Sequence, residues 1–398
     1  MRPLLISHLT ATSCIGRGLG ETAASLRAKR SGLGPCAFET VRLDTHVGEV
    51  PGVDEESLSA ELSRFDCRNN RLAQLGLRQD GFMDAVRESA GRWGRRRIGL
   101  ILGTSTSGML ATEIAYRGRD RATGALPADF DYAATQNSYS LAAFARLLLG
   151  FEGPATVIST ACSSSAKAFG AAWRMIEAGW IDAAVVGGVD SLCLTTLYGF
   201  HSLQLVSCAP CRPFDAARDG ISIGEAAAFA LLERMPDNVD SGQILLTGSG
   251  ESSDAYHMSS PHPQGRGARE AMEQALAAAS LAPADIDYIN LHGTDTPSND
   301  AAEGCAVSDL FGPSVRASST KGATGHALGA AGALEAVICA IALGERLMPG
   351  SVNTGQLDPA VGFDYLRENR RDERFRRALS NSFGFGGSNC SLVLERAA

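Results

Sequence analysis

The chain of 398 residues is long enough for two domains or one two-lobed unit. Hydrophobic residues make up 44% and charged residues 20%, a normal globular balance, and the net charge of −8 leaves no overall basic field for nucleic acid. The ten cysteines are scattered, which points to reduced thiols in the cytoplasm, and the lone Cys208-Ala209-Pro210-Cys211 pair lacks the second pair a zinc site needs.

The first apolar run, Leu4–Ile6, stops at Ser7-His8, too short for the hydrophobic part of a signal peptide, and reads as a strand. A short helix is predicted over Glu21–Lys29. Glu56–Glu88 reads as mostly helical, with Arg64, Arg68 and Arg71 three or four residues apart on one face. Ile98–Leu102 is an unbroken apolar run, as expected of a strand covered on both sides. Leu141–Leu149 is helical. Next, Val157-Ile158-Ser159 leads into Cys162, and Phe169, Trp173 and Ile176 recur at helical spacing until Gly179 ends the helix. Ala183–Val186 is another buried strand.

A second round then begins, with strands at Ile244–Leu246, Ile286–Leu291 and Ser391–Leu394 and helices at Ala268–Ala279, Asp300–Asp309 and Leu328–Leu343. The apolar stretch Ala323–Leu343 carries His326, Glu335 and three glycines, which argues against a membrane span. The two rounds resemble each other. Ile101-Leu102-Gly103-Thr104 parallels Leu291-His292-Gly293-Thr294, and Leu231-Leu232-Glu233-Arg234 parallels Val393-Leu394-Glu395-Arg396. A duplicated β/α unit is the simplest explanation, with halves 1–240 and 241–398 joined near 235–243. The alternation predicts an α/β fold with a largely parallel sheet and helices on both faces. The halves would pack sheet against sheet with helices between, and a site would form where equivalent loops converge.

Cys162 sits where a strand turns into a helix, among small residues. Free backbone N–H groups and the helix dipole gather there, a setting that favours thiolate and can hold an oxyanion. His292 follows a buried strand and precedes Gly293-Thr294. Lys321 and His326 lie five apart in a run of small residues, and Phe383-Gly384-Phe385-Gly386-Gly387 is a glycine-rich loop. One cysteine and two histidines suit thiol attack on a thioester or ester carbonyl. Imidazoles beside a lysine stay neutral and can donate hydrogen bonds to an enolate, such as decarboxylation of a malonyl group creates.

This set resembles the β-ketoacyl-acyl carrier protein synthases, the elongating condensing enzymes of fatty acid and type II polyketide synthesis, on the thiolase-like fold. Thr160-Ala161-Cys162-Ser163-Ser164 matches the nucleophile motif, and His292–Pro297 the first histidine motif, with Asp300 and Glu303 following. Lys321 and Gly325-His326 match the lysine and second histidine, and Phe383–Gly387 the C-terminal loop. The resemblance implies a layered αβαβα arrangement. It implies that Cys162 is acylated, with the Cys162 and Phe385 N–H groups as oxyanion hole, while His292 and His326 promote malonyl decarboxylation. Lys321 would order the site and pair with Glu303. Phe385 would gate the acyl pocket beside Phe200, and Thr294 and Thr296 would contact the phosphopantetheine arm. Arg64, Arg68 and Arg71 are candidates for holding the acidic acyl carrier protein.

No separate cofactor and no metal is expected, and the partner is a second copy or a ketosynthase-like chain-length factor. Departures from the family pattern include Ile6–Thr10 at the opening, Gly224-Glu225-Ala226-Ala227-Ala228, and Lys167 where a histidine is common. Pocket lining from a dimer partner, around Tyr132 and Thr112, also differs. These point to a specialised polyketide or polyene line. Two competing readings are a non-catalytic chain-length partner, which would lack the cysteine, and a thiolase-type acyltransferase, which would want a second catalytic cysteine where Phe385 stands.

Overall fold

The computed structural model describes residues 2–398. In the first half, β1 (Leu4–Ser13), β2 (Ile98–Gly103), β3 (Ala155–Ile158), β4 (Ala183–Asp190) and β5 (Ala226–Arg234) form a sheet in the order β3-β2-β4-β5-β1. In the second, β6 (Ile244–Ser253), β7 (Tyr288–Asn290), β8 (Arg316–Ser318), β10 (Arg377–Gly384) and β11 (Ser388–Arg396) repeat it as β8-β7-β10-β11-β6, with β9 (Asp364–Tyr365) added at the edge. The pairing senses also repeat. β2 runs parallel to β3 and β4, as β7 does to β8 and β10. The last two strands of each half return antiparallel. Even the irregularities match: β1 slips register between Ile6 and His8 against β5, and β6 between Leu246 and Gly248 against β11.

Two expectations change. The sheet is mixed rather than largely parallel, because each half closes on strands that enter from the opposite end. The halves are also hydrogen-bonded edge to edge, Leu4–Ile6 against Ile244–Leu246, so they share one sheet, in which the short strand Gly16–Arg17, paired with the end of β1, is the twelfth. Helices α6 (Ser164–Glu177) and α11 (Ala331–Glu345) pack on each other and on strands of both halves, so the sheet bends around them. Outside the first half lie α2 (Arg68–Leu77), α3 (Phe82–Trp93) and α5 (Tyr139–Leu149), and outside the second lies α8 (Arg266–Ala279). Three apolar cores separate these layers. Phe169, Trp173, Val337 and Ile338 fill the middle one, Leu72, Phe82 and Phe144 the first outer one, and Met272, Leu276 and Ile289 the second. One helical stretch, Leu328–Glu345, is long and apolar enough to cross a membrane, but 83% of it is buried in the middle core.

Element ends differ from the expected ones where side chains outweigh pattern. The first strand runs on to Ser13 because the slip at Ser7 restores its pairing. Helix α9 (Pro297–Phe311) begins three residues before Asp300, with Pro297 in its first turn and the Thr296 hydroxyl accepting from the Asn299 N–H. Glu56–Glu88 breaks into a 3₁₀ turn at Ala60–Phe65 followed by α2 and α3, so Arg64 and Arg68 do not share a helix.

The functional loops all leave the C-terminal ends of parallel strands, and close packing fixes them there. A Cβ on Gly103 would lie 2.3 Å from the Ser165 N, and one on Gly188 2.5 Å from the Ser165 Cβ, so both strands press on the first turn of α6. Gly103→Val is therefore expected to destabilise the fold by about 1–3 kcal/mol through overpacking. Urea unfolding checks this, with an unchanged midpoint counting against the packing account.

Candidate active site

Cys162 occupies a tight corner between β3 and α6. Ala161 before it takes a left-handed φ of 52°, and the Ser164 hydroxyl accepts from the Thr160 N–H at 2.9 Å, which holds the turn closed. The sulfur is buried, two residues ahead of the helix. From the other half, His326 Nε2 lies 3.1 Å from the Cys162 Sγ. The His292 and His326 rings stand edge to face with centroids 5.2 Å apart, and donor atoms of all three residues fall within 4.8 Å of one another. A thiol and two imidazoles form a donor set that zinc accepts, but the Lys321 ammonium beside them opposes a cation.

Lys321 begins a single helical turn, Lys321–Thr324. Its Nζ donates to the His292 carbonyl at 2.5 Å, sits 3.4 Å from His292 Nδ1 and pairs with Glu335. The expected pairing with Glu303 is thus replaced by Glu335 of α11. Glu303 instead accepts from the His292 and Gly293 N–H groups, both at 2.8 Å, and from Asn381 Nδ2 at 3.1 Å. It anchors the histidine loop from behind and does not touch the lysine. Accepting from Lys321 at Nδ1 places the His292 proton on Nε2, a tautomer assigned from the network.

Burial, the Lys321 charge and the neighbouring imidazole hold His292 well below the ordinary histidine value; burial and Lys321 do the same to His326. Both rings are neutral, as the sequence predicts. The sulfur departs from expectation. Burial pushes the Cys162 thiol up to about 11, while the Phe385 N–H and the Lys321 charge offset only part of the rise. Desolvation outweighs the helix terminus, so the resting sulfur is a thiol rather than a thiolate.

A pocket lies above the sulfur. Phe200, Leu205, Ile221, Phe383 and Phe385 make its apolar wall, and Thr294, Thr296, Ser259 and Asn299 its polar one. The Thr294 and Thr296 hydroxyls lie 2.9 Å apart. Phe385 and Phe200 meet at 5.4 Å between ring centroids, as expected. A Cβ on Gly384 would come within 3.2 Å of the Cys162 N, so glycine is what lets this loop approach the nucleophile. Gly386 at φ 78° and Gly387 at φ 74° then turn it away.

The three arginines do not form one surface. Arg68 is buried and binds Glu225, Asp54 and Glu49, so it is a structural residue rather than a docking one. Arg71 pairs with Asp66, and the exposed Arg64 pairs with Asp131. Sequence reasoning missed Asp190, whose buried carboxylate accepts from Thr104, Ser105 and Thr106 and from the Gly329 N–H. It ties the end of β2 to the turn before α11. Its signal was an acid closing an otherwise apolar strand. The Thr112 hydroxyl is hydrogen-bonded to the Gln136 side chain, and Tyr132 is exposed.

A buried thiol from one half and two neutral imidazoles from the other, on repeated β/α halves, define a site of the thiolase-like fold. Residues 1–238 match the family model of the beta-ketoacyl synthase N-terminal domain, and residues 244–355 that of its C-terminal domain. The 3-oxoacyl-[acyl-carrier-protein] synthase 2 of Vibrio cholerae is 31% identical over 99% of both chains. The enzyme of that name from Mycobacterium tuberculosis is 37% identical over 60% of each chain, so the match spans less than two thirds of that relative. Among solved structures, the Xenorhabdus doucetiae ketosynthase ApeO, in complex with its chain length factor ApeC, matches with a TM-score of 0.90 and 37% identity, covering 100% of this chain and 98% of that one. The ishigamide ketosynthase/chain length factor matches with a TM-score of 0.89 and 27% identity, covering 100% of both. The chain belongs to the beta-ketoacyl synthase family.

Two predictions follow from the electrostatics. Alkylation of Cys162 by iodoacetamide, mapped by mass spectrometry, should keep accelerating about tenfold per pH unit up to about pH 11. A plateau near the ordinary thiol value would show that burial does not control the sulfur. Glu335→Gln leaves the Lys321 charge buried without its counter-ion and should cost about 3–5 kcal/mol in urea unfolding. A loss no larger than that of a surface substitution would count against a tight pair.

Proposed function

We propose that the chain catalyses decarboxylative Claisen condensation of malonyl-acyl carrier protein with an acyl chain held on Cys162, releasing β-ketoacyl-acyl carrier protein. The observation that carries this reading is the meeting of Cys162, His292 and His326 within 4.8 Å in a buried pocket. In the first half-reaction the sulfur attacks the carbonyl of an acyl-carrier thioester. A C–S bond forms to Cys162, the pantetheine C–S bond breaks, and the thiol proton ends on the departing pantetheine sulfur, with His326 Nε2 close enough to relay it. The Cys162 and Phe385 N–H groups steady the oxyanion.

In the second half-reaction the bond from the malonyl α-carbon to its carboxylate breaks and carbon dioxide leaves. The electron pair becomes an enolate whose oxygen receives hydrogen bonds from His292 and His326. The enolate carbon attacks the Cys162 thioester, the C–S bond breaks, and the released thiolate takes up one proton from solvent. Neutral donors suit this step, because a cationic imidazole would quench the enolate by proton transfer. Lys321 keeps both rings in that state. No further cofactor enters this balance, since both acyl groups arrive on phosphopantetheine, with Thr294 and Thr296 placed to meet the arm.

The competing readings fare worse on specific residues. A non-catalytic chain-length partner has no use for Cys162 facing both imidazoles. A thiolase needs a second thiol at the pocket, but Cys390 is turned into the middle core. We assign the reaction to a specialised polyketide or polyene line, supported by the ketosynthases solved with chain length factors. Exposed Ile114, Tyr116, Tyr132 and Tyr139 on α4 (Met109–Arg117), α5 and the segment between them support a partner subunit on that face, either a second copy or a chain-length factor. Arg64 remains a candidate contact for the acidic carrier. Ten free cysteines suit a reducing cytoplasm.

Cys162→Ala should abolish acyl-enzyme formation, whereas His326→Ala should slow acyl transfer far less than it slows release of carbon dioxide from malonyl-carrier protein. Intact-protein mass spectrometry and labelled carbon dioxide release read the two steps separately. Equal loss of both steps in the His326 variant would sink this division of roles.

A further inference from the structure

Asp295 stands between the two threonines of the pocket wall, and no step above uses it. Its side chain is fully buried, and neither carboxyl oxygen has a hydrogen-bond partner. Unlike Thr294 and Thr296, it does not line the pocket. It lies behind the wall, with its backbone at φ 71°. The charged and titratable groups around it are Cys211, Arg212 and Asp219 from the loop after α7 (Leu194–Ser202), Asp300 from α9, and Tyr365 from β9. The Arg212 N–H points toward the carboxyl without reaching hydrogen-bond geometry, and the Arg212 guanidinium is engaged by Asp219 and the Ala217 carbonyl.

A carboxylate in such a place would be a buried charge without a hydrogen bond, next to two other acids. Burial, reinforced by Asp300 and Asp219, pushes the Asp295 carboxyl up to about 8. Burial also pushes the Cys211 thiol up to about 12 and raises the Tyr365 hydroxyl, so neither ionises first. The Thr294 N–H already serves Asp300 at 2.9 Å, which leaves the Arg212 N–H as the donor an ionised carboxylate would reach for. Closing on that N–H would draw Asp295, and with it the 294–296 turn, away from its present position.

Resting on the function above, we propose that Asp295, kept as the uncharged acid, is a positioning residue that sets the Thr294–Thr296 hydroxyl pair for the arm of the carrier-borne substrate, and that loss of its proton weakens substrate capture. Its effect belongs in KM, since it touches neither the sulfur nor the imidazoles.

The test compares wild type, Asp295→Asn and Asp295→Ala between pH 6.5 and 9.5, with octanoyl-pantetheine as acyl donor. Wild-type KM should rise about tenfold per pH unit above about pH 8 while kcat holds. Asp295→Asn, which mimics the neutral acid, should flatten that rise, and Asp295→Ala should raise KM at every pH. A wild-type rise that survives in Asp295→Asn overturns the proposal, as does an effect confined to kcat. Thermal melting gives a second readout. Between about pH 4 and 8 the folded acid keeps a proton the unfolded chain has lost, so wild-type stability falls across that window. Asp295→Asn should gain stability over wild type as pH rises through it, and parallel melting curves would overturn the buried acid. If wild type forms no β-keto product, the function above fails. Binding of octanoyl-pantetheine to Cys162→Ala, with and without Asp295→Asn, then still reads the arm contact against pH.

Discussion

Everything at this site depends on a lysine ammonium buried beside two histidines. Lys321 Nζ lies 3.4 Å from His292 Nδ1. At an effective dielectric near 20, a second positive charge at that distance costs about 5 kcal/mol, more than three pH units, before burial is counted. Charging either ring is therefore out of reach near neutrality. The lysine is kept in the interior by Glu335, which comes from α11 and not from the histidine loop. The chemistry of the loops is thus set by a counter-ion on the central helix.

That helix is also what joins the halves. It packs on α6, which begins just after the nucleophile, and on strands of both sheets. A Cβ on Gly332 would lie 2.7 Å from Ala166, so α11 touches the first turn of α6 closely. Duplication supplies the rest. β3 and β8 are equivalent strands, and the turn after one carries Cys162 while the turn after the other carries Lys321. β2 and β7 are equivalent, and the loop after one begins with Thr104 while the loop after the other carries His292. The same scaffold positions put a nucleophile in one half and its electrostatic partners in the other. Asp190 and Glu303 do matching work behind each half, accepting backbone N–H groups from the loops that carry these residues.

The loops and the repeat were readable because they rest on local pattern. An apolar run ending in Ser-Thr-Ala-Cys, or in His-Gly-Thr, says both where a strand stops and what chemistry follows. The matching Leu-Leu-Glu-Arg and Val-Leu-Glu-Arg endings exposed the duplication because both close an equivalent strand. Pairings across the fold were not readable. Glu303 and Glu335 are both acids on helices near Lys321, and only the packing of α11 decides between them. Arg68 reads as a surface residue at helical spacing, but its partner Glu225 lies 157 residues away. The joining of the two sheets through Leu4–Ile6 and Ile244–Leu246 is equally invisible, since an edge strand carries no mark of which chain segment will meet it.

The sulfur shows where local reasoning goes wrong in sign. A helix N-terminus stabilises an anion by about 0.3–1 kcal/mol, and by about 2 in favourable settings, whereas moving an ion out of water costs several. Sequence reveals the first effect, and only the fold reveals the second. With the pocket closed over Cys162, the balance falls to the thiol. In the proposed reaction the anionic malonyl group arrives only after this thiol, 3.1 Å from His326, has been acylated. The thioester that replaces the thiol is neutral as well. Under the proposed reaction the pocket therefore keeps the same charge before and after acylation, and the enolate would be the new anion its hydrogen-bond donors meet.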